Sequence, residues 1–196
     1  MNTKIPYCFL LALLALCIAV PGCKLHSESV RFSPELKPRQ ADIGQGKTLG
    51  LSVADTRPDK QVGIVGDPKI EAITVTAEEG SPSLVYQQTA EALTKLGFKV
   101  EPASDATERS LRIEIRELQY ESLKRPFKYD AKAKVLVGAV ARSGSGRYER
   151  TYETEETGEY GTPPNQSTIS KSINGLLSAA IDDVLADKQL LDVLTK

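Results

Sequence analysis

The sequence predicts an α+β domain: a two-layer sandwich with a mixed or antiparallel sheet of about five to six strands and two main helices on one face. Two kinds of hydrophobic spacing indicate this. Several segments alternate apolar and polar residues, which is the period of a half-buried strand. Two other segments repeat apolar residues every three or four positions, the period of a helix with one apolar stripe. Two such stripes cover one face of a sheet.

The first strands lie before the first helix. Leu49–Ala54 alternates apolar and small residues and stops at the proline of residues 55–58, because proline cannot donate to a ladder. We expect a glycine-bearing loop at residues 61–68 and a β-branched strand at residues 70–76. A short strand at residues 98–100 follows the first helix.

The later strands show a change of phase. The segment 111–116 places apolar residues at odd positions, but Leu118 and Tyr120 fall on the even side. One extra residue near Glu117, a β-bulge, would explain the slip. We then expect a hairpin of residues 127–142 and 147–157 around the flexible loop 143–146.

Helix boundaries follow from capping residues. Serine and proline at Ser81-Pro82 favour a helix start, and Gly97 favours its end. The last long helix carries apolar residues at three- and four-residue spacing from 169 to 185, and either Ser167 or Asn165 can cap it. Asp187 is expected to begin a short terminal helix.

The N-terminus has the pattern of an exported protein. Lys4 precedes an apolar run at residues 9–20, which is too short to span a bilayer and fits a secretory signal. We expect residues 1–22 to be removed. The sequence before Cys23 resembles the lipobox of bacterial lipoproteins, although Pro21 is unusual there. That resemblance implies a thioether-linked diacylglycerol on Cys23, with palmitate-type acyl chains. An ordinary cleaved signal followed by a chance cysteine is the alternative.

Domain organisation and location follow from this anchor. We expect residues 23–45 to be a lipidated N-terminus with a flexible tether, because serine, proline and charged residues show no helical period there. Within it, residues 30–32 could pair briefly as an edge strand. Residues 46–196 are expected to form a single periplasmic α+β domain. Lys24 follows the cysteine in place of the aspartate that resembles an inner-membrane retention signal. We therefore expect an outer-membrane anchor facing the periplasm.

Most chemical functions lack the residues that they need. His26 is the only histidine, and Cys8 and Cys17 leave with the signal, so no zinc or other metal site is expected. The formal net charge of −1 disfavours nucleic acid as a partner. The stretch 44–48 lacks the strand and helix of a phosphate-binding loop. We expect no cofactor and no enzymatic activity.

Acidic residues on the returning strand are expected to be structural. In a symmetric hairpin Lys134 faces Glu155 and Leu136 faces Glu153, with Lys132 close diagonally. These positions favour ion pairs between strands over a pair of catalytic carboxylates.

Asp55 and Arg57 form the candidate interaction loop. They follow the first strand of the domain, where loops often carry function. Arginine there could bind an anion or a partner's carboxylate. An internal clamp between the two side chains is the alternative.

The chain resembles the YajG-type outer-membrane lipoproteins over nearly its whole length. The similarity lies in the lipobox, the element order, the stretch 115–120, the strand 129–133, Tyr148 and Tyr152, and the helix around 173–177. The family has no established biochemical activity, so the resemblance implies location and fold. More distantly, the layout resembles envelope assembly lipoproteins of the CsgG and LpoB types.

These observations predict a lipid-anchored, non-catalytic periplasmic module that binds an envelope protein. The alternative is a carrier of a lipid or small envelope metabolite, because small residues at odd positions from Ala131 to Ala141 could leave room for a ligand. The same row could instead let the final helix pack closely. An unusual hydrolase is a third, weaker alternative.

Overall fold

The computed structural model describes residues 27–38 and 41–196. Within them the chain forms eight strands and three helices. The strands are β1 (Ser27–Val30), β2 (Thr48–Asp55), β3 (Gln61–Asp67), β4 (Glu71–Ala77), β5 (Lys99–Pro102), β6 (Arg109–Arg125), β7 (Lys128–Ser143) and β8 (Gly146–Tyr160). The helices are α1 (Ser81–Lys95), α2 (Gln166–Ala186) and α3 (Lys188–Thr195). None of the helices in this described part is long and apolar enough to cross a membrane.

Strand β6 organises the sheet. Antiparallel β7 pairs along one edge of β6, and β8 pairs with β7. The other edge of β6 is shared, because β2 pairs in parallel with its first half and β3 with its second half. The remaining order is β1-β4-β3 on one side and β2-β5 on the other. The sheet is therefore mixed.

The predicted two-layer sandwich of five to six strands is wrong in shape and in strand number. The sheet has eight strands and curls into an open half-barrel. One missed strand is β3, which we expected to be a loop because of its glycines. Gly63 is needed there, because a Cβ atom at this position would lie 1.6 Å from the carbonyl oxygen of Tyr120. Glycine thus permits close pairing with β6 instead of ending the strand.

The first described segment also differs from the predicted tether. Residues 27–30 form β1, which pairs in parallel with β4, and Val30 and Phe32 are fully buried in the core. Residues 31–38, here called the strap, run along α2. Alternate strap N–H groups donate to side chains one helical turn apart: Ser33 to Asn174 (2.7 Å), Glu35 to Ser178 (2.9 Å) and Lys37 to Asp182 (3.1 Å). The strap therefore belongs to the domain.

The core lies between the inner face of the curled sheet and the helices. Helix α2 packs on β7 and β8, and α1 packs on β2 and β5. The row of small residues on β7 from Ala131 to Ala141 is buried under α2, whose apolar stripe includes Ile173, Leu177 and Ile181. The small residues therefore let the helix pack closely on β7, which is the second interpretation of this row given above.

Two details of the later strands are confirmed. The β6–β7 register shifts between Ile115 and Glu117, which is the expected bulge. In the β7–β8 hairpin Lys134 pairs with Glu155 and Leu136 with Glu153. The ion pairs run diagonally, from Lys134 to Glu153 (3.2 Å) and from Lys132 to Glu155 (3.3 Å).

Capping matches the expectations in part. Asn165 caps α2 by accepting from the N–H of Thr168 (3.0 Å), and Asp187 caps α3. Helix α1 differs, because Gly80 is its N-cap in a left-handed conformation (φ 78°). The Ser81 hydroxyl instead donates to the carbonyl of Glu78 (2.8 Å) and accepts from the N–H of Phe32 (3.2 Å). Ser81 therefore fixes the strap.

Candidate binding groove at the fork in the sheet

The sheet forks where β2 leaves the edge of β6 and β3 joins it. The last β2 pair is Asp55 with Ile115, and the first β3 pair is Gly63 with Tyr120. In the described chain, no strand pairs with residues 116–119 along this edge. The bulge lies at the start of this stretch. The fork therefore leaves four residues of β6 with a main-chain edge open to a ligand.

An Asp–Arg clamp stands beside the fork. The Arg57 guanidinium donates to both carboxylate oxygens of Asp55 (2.9 and 2.8 Å) and to the carbonyl of Gln61 (3.2 Å). It also lies 5.4 Å from the centre of the Phe32 ring. The Arg57 side chain is only 4% exposed. The internal clamp, given above as the alternative, is therefore the arrangement in the structure, and the guanidinium is directed inward.

The clamp shapes the connection from β2 to β3 into one wall of a groove of about 440 Å³. Residues 57–59 and 61–64 line one side and residues 116–121 line the other. The exposed side chains around it include Asp59, Gln119 and Glu121. Asp59 also holds the turn, since its carboxylate accepts from the N–H of Gln61 (2.8 Å). The groove combines an open main-chain edge with an acidic rim, and we call it the fork groove.

Arg116 holds the bulge from the outer face of the sheet. Its guanidinium donates to Glu114 (3.0 and 2.9 Å), to Glu149 (3.0 Å) and to the hydroxyl of Thr151 (2.8 Å). The hydrogen bonds that Arg116 donates to Glu114 and Glu149 raise the pKa of Arg116, and the bonds that Glu149 accepts from Arg116 and then Arg147 lower the pKa of Glu149. Arg116 thus ties β6 to β8 across β7.

Gly138 makes room for that guanidinium. A Cβ atom at position 138 would lie 2.3 Å from Nε and 2.4 Å from Cζ of Arg116. Glycine on β7 therefore allows the arginine to lie flat over the strand.

A second polar cluster joins α3 to the hairpin. One carboxylate oxygen of Asp187 accepts from Tyr152 (2.7 Å), Tyr148 (3.1 Å) and Arg150 (3.2 Å), while the other caps α3. Burial alone would raise the pKa of Asp187, but the hydrogen bonds from Tyr152, the backbone and Tyr148 together lower it. Burial and then the bond to Asp187 raise the pKa of the Tyr152 phenol. The cluster is a structural link, because its polar atoms satisfy one another.

Several residues selected from the sequence lie outside the described residues. Cys23, with its expected lipid, and His26 are among them. Within residues 27–38 and 41–196, the structure has no group of three or more His, Cys, Asp or Glu residues that could hold a metal ion. The interaction role expected for Asp55 and Arg57 stays a prediction. In the structure their clamp supports the β2–β3 connection, which is one wall of the fork groove.

Sequence reasoning missed the fork groove itself. The change of phase near Glu117 located the bulge, but it did not show that two parallel strands share one edge of β6. The nearest signal was the pair of glycines at 63 and 66, which we interpreted as a loop. A buried strand with glycine at a point of close backbone approach has the same composition.

The fold and the fork together define a class: a small mixed α/β domain with a curled open sheet, an internally fixed loop and a surface groove. The chain belongs to a family of uncharacterised lipoproteins, Lipoprotein_16, whose family model matches residues 34–195. This is the YajG family, so the resemblance found in the sequence is confirmed. No curated protein shows a significant match to the chain.

Solved structures share the fold at low identity. Protein XCC0632 from Xanthomonas campestris, of the DUF330 family, is 12% identical, with a TM-score of 0.50 over 85% of this chain and 95% of that protein. A putative neuraminyllactose-binding hemagglutinin homologue from Helicobacter pylori is 10% identical, with a TM-score of 0.39 over 84% of this chain and 95% of that protein. The first likeness concerns the fold alone, and the second is too weak to support an argument.

Proposed function

We propose that this lipoprotein is a non-catalytic binding module of the cell envelope that receives an extended segment of a partner protein in the fork groove. The observation that carries the proposal is the open edge of β6 at residues 116–119. An extended peptide can add to such an edge through main-chain hydrogen bonds, and neighbouring side chains then set specificity.

The rim of the groove indicates the chemistry of the segment. Asp59 and Glu121 are exposed at the two walls, whereas the cationic groups nearby are occupied. Arg57 is bound to Asp55, and Arg116 to Glu114 and Glu149. A segment that carries lysine or arginine complements this rim, and complementary charge favours both encounter and register.

The anchor in this proposal is a lipid on Cys23 in the outer membrane, with the domain facing the periplasm. Membership of a lipoprotein family supports an envelope location. Three residues separate Cys23 from β1, instead of the longer tether that we expected. Four extended steps span at most about 14 Å, so the start of β1 would be held close to the membrane.

Crosslinking in intact cells tests the docking proposal. The full-length protein should yield a crosslinked species with one partner, and Glu121→Lys should abolish or strongly reduce it, because the acidic rim is reversed. The matched control is Glu101→Lys on β5, an exposed position away from the groove. Equal crosslinking of both variants would refute the groove as the docking site. For the anchor, Cys23→Ala should release the protein from membranes, and continued membrane association would contradict it.

The carrier alternative has less support. The helix side chains already occupy the inner face beside the small residues of β7. Native mass spectrometry of the purified domain should therefore show no co-purifying lipid or metabolite.

A further inference from the structure

Two large hydrophobic side chains stand out from the surface of the described chain. Ile70 is 85% exposed and Phe127 is fully exposed. Ile70 ends the turn between β3 and β4, and Phe127 lies in the two-residue turn between β6 and β7. Single exposed apolar residues are common, so their positions relative to each other decide whether they matter.

The two turns are neighbours at one end of the sheet. Strands β3 and β6 are parallel and adjacent, and Val65 pairs with Ser122. Two residues further along, β3 reaches Asp67 and β6 reaches Lys124, so both strands end at the same level. Neighbouring strands lie about 4.8 Å apart, which places the two hairpin tips about 10 Å from each other.

The backbone at Phe127 adds an independent observation. Phe127 has a φ of 67°, in the left-handed region where glycine or asparagine is usual and a bulky side chain is disfavoured. The turn therefore has an exposed phenylalanine at a position whose backbone conformation disfavours a bulky side chain. Unfavourable backbone of this kind is concentrated at functional positions.

The N-terminal chain enters the domain at this same end. Strand β1 is parallel to β4, and Ser27 pairs with Thr74. Ile70 lies four residues before Thr74, and Cys23 lies four residues before Ser27. Four residues span at most about 14 Å, so this length of chain would let a lipid on Cys23 meet the membrane at the end that carries Ile70.

Basic residues flank both apolar side chains. Lys69 precedes Ile70, and Lys124 and Arg125 precede Phe127. In the described chain, neither Lys69 nor Lys124 takes part in an ion pair. Nearby acidic groups are partly engaged, since Asp130 lies 3.0 Å from Lys128 and 3.5 Å from Arg125, although Glu71 beside Ile70 is exposed. Apolar side chains with neighbouring lysines suit the boundary between lipid headgroups and acyl chains.

We propose that these two tips, Ile70 with Lys69 and Phe127 with Lys124 and Arg125, form a membrane-contacting surface that inserts into the lipid layer holding the anchor. The proposal rests on the lipid anchor at Cys23 proposed above. In this orientation β6 and β7 extend from the membrane, with the turn between them at the lipid surface. The fork groove lies eight residues from that turn along β6, which is about 25 Å from the lipid surface.

The test uses the full-length lipidated protein in vesicles of phosphatidylethanolamine and phosphatidylglycerol with brominated acyl chains. The chain has no tryptophan, so Phe127→Trp supplies a unique fluorophore, and Ile70→Trp supplies a second. The matched control is Ser145→Trp at the exposed tip of the β7–β8 hairpin. That tip is at the opposite end of the 16-residue strand β7, about 50 Å away.

We expect the tryptophans at positions 127 and 70 to lose most of their emission to the bromines and to shift to shorter wavelength, while the tryptophan at position 145 keeps both properties. Vesicle flotation is measured on the same samples. If the protein floats with the vesicles but positions 127 and 70 are not quenched, or all three positions are quenched equally, the membrane-contacting surface is refuted and the lipid anchor is not. Failure to float overturns the anchor and this surface with it. If the tryptophan emission shifts only after a second protein is added to the vesicles, the tips bind a protein partner, and the proposal is overturned.

Discussion

The contact between Gly138 and Arg116 determines how alanine at position 138 should change the stability of the domain. Alanine in place of glycine within a strand ordinarily stabilises a protein by about 0.5–1 kcal/mol. At position 138 the new Cβ would displace the guanidinium, whose nearest atoms are 2.3–2.7 Å away. Arg116 would then lose its ion pairs with Glu114 and Glu149. The loss of these bonds offsets the ordinary gain from alanine, because a partly exposed ion pair contributes at most about 1 kcal/mol.

A double-mutant cycle isolates this effect. We expect Gly138→Ala to raise the free energy of unfolding by about 0.5–1 kcal/mol in an Arg116→Ala background, and to give no gain, or a loss of up to about 1 kcal/mol, in the natural sequence. Urea unfolding followed by circular dichroism, on the chain without its lipid, measures both. If Gly138→Ala has the same sign and size in both backgrounds, the two residues are not coupled and the account of the bulge is wrong.

Three further perturbations follow from the described contacts. Asp187→Asn should destabilise the domain by about 1–2 kcal/mol at neutral pH. Because the folded pKa of Asp187 is lowered, the stability that its carboxylate contributes is present above about pH 4 and is lost as the pH falls through the folded pKa. The urea midpoints of the variant and the natural protein should therefore converge at low pH. Arg57→Lys should lower the melting temperature and weaken the crosslink together, since lysine cannot bridge both Asp55 oxygens, and a weaker crosslink without a loss of stability would contradict the clamp. Asn174→Ala should speed amide exchange at Ser33, and unchanged exchange would show that the strap does not depend on this bond.

The elements that local pattern determines were predicted well. Periodicity located α2 and most of β6, β7 and β8, and the slip near Glu117 located the bulge. These features depend on which side of a strand or helix each residue faces, and the sequence carries that information directly. The hairpin register followed because the short loop leaves few pairings open.

The features that were missed depend on distant contacts. The composition of the strap predicts a tether, because serine, proline and charged residues are usual in flexible segments. Its N–H groups nevertheless donate to acceptors that lie about 140 residues later in the chain, on Asn174, Ser178 and Asp182. Strand β3 was interpreted as a loop because a glycine required by close backbone approach looks like a glycine required by a turn. The fork groove follows from both omissions. The lipid on Cys23 stays a prediction, because Cys23 lies outside the described residues.

Photocrosslinking at position 119 tests the central claim most directly. A photoreactive amino acid in place of Gln119, which is exposed on one wall of the fork groove, would be compared in intact cells with the same substitution at Gln87, exposed on α1. Occupancy of the groove predicts one discrete crosslinked partner from position 119 and none from position 87. No crosslink at 119, or the same products from both positions, would contradict the proposal that the groove receives a partner.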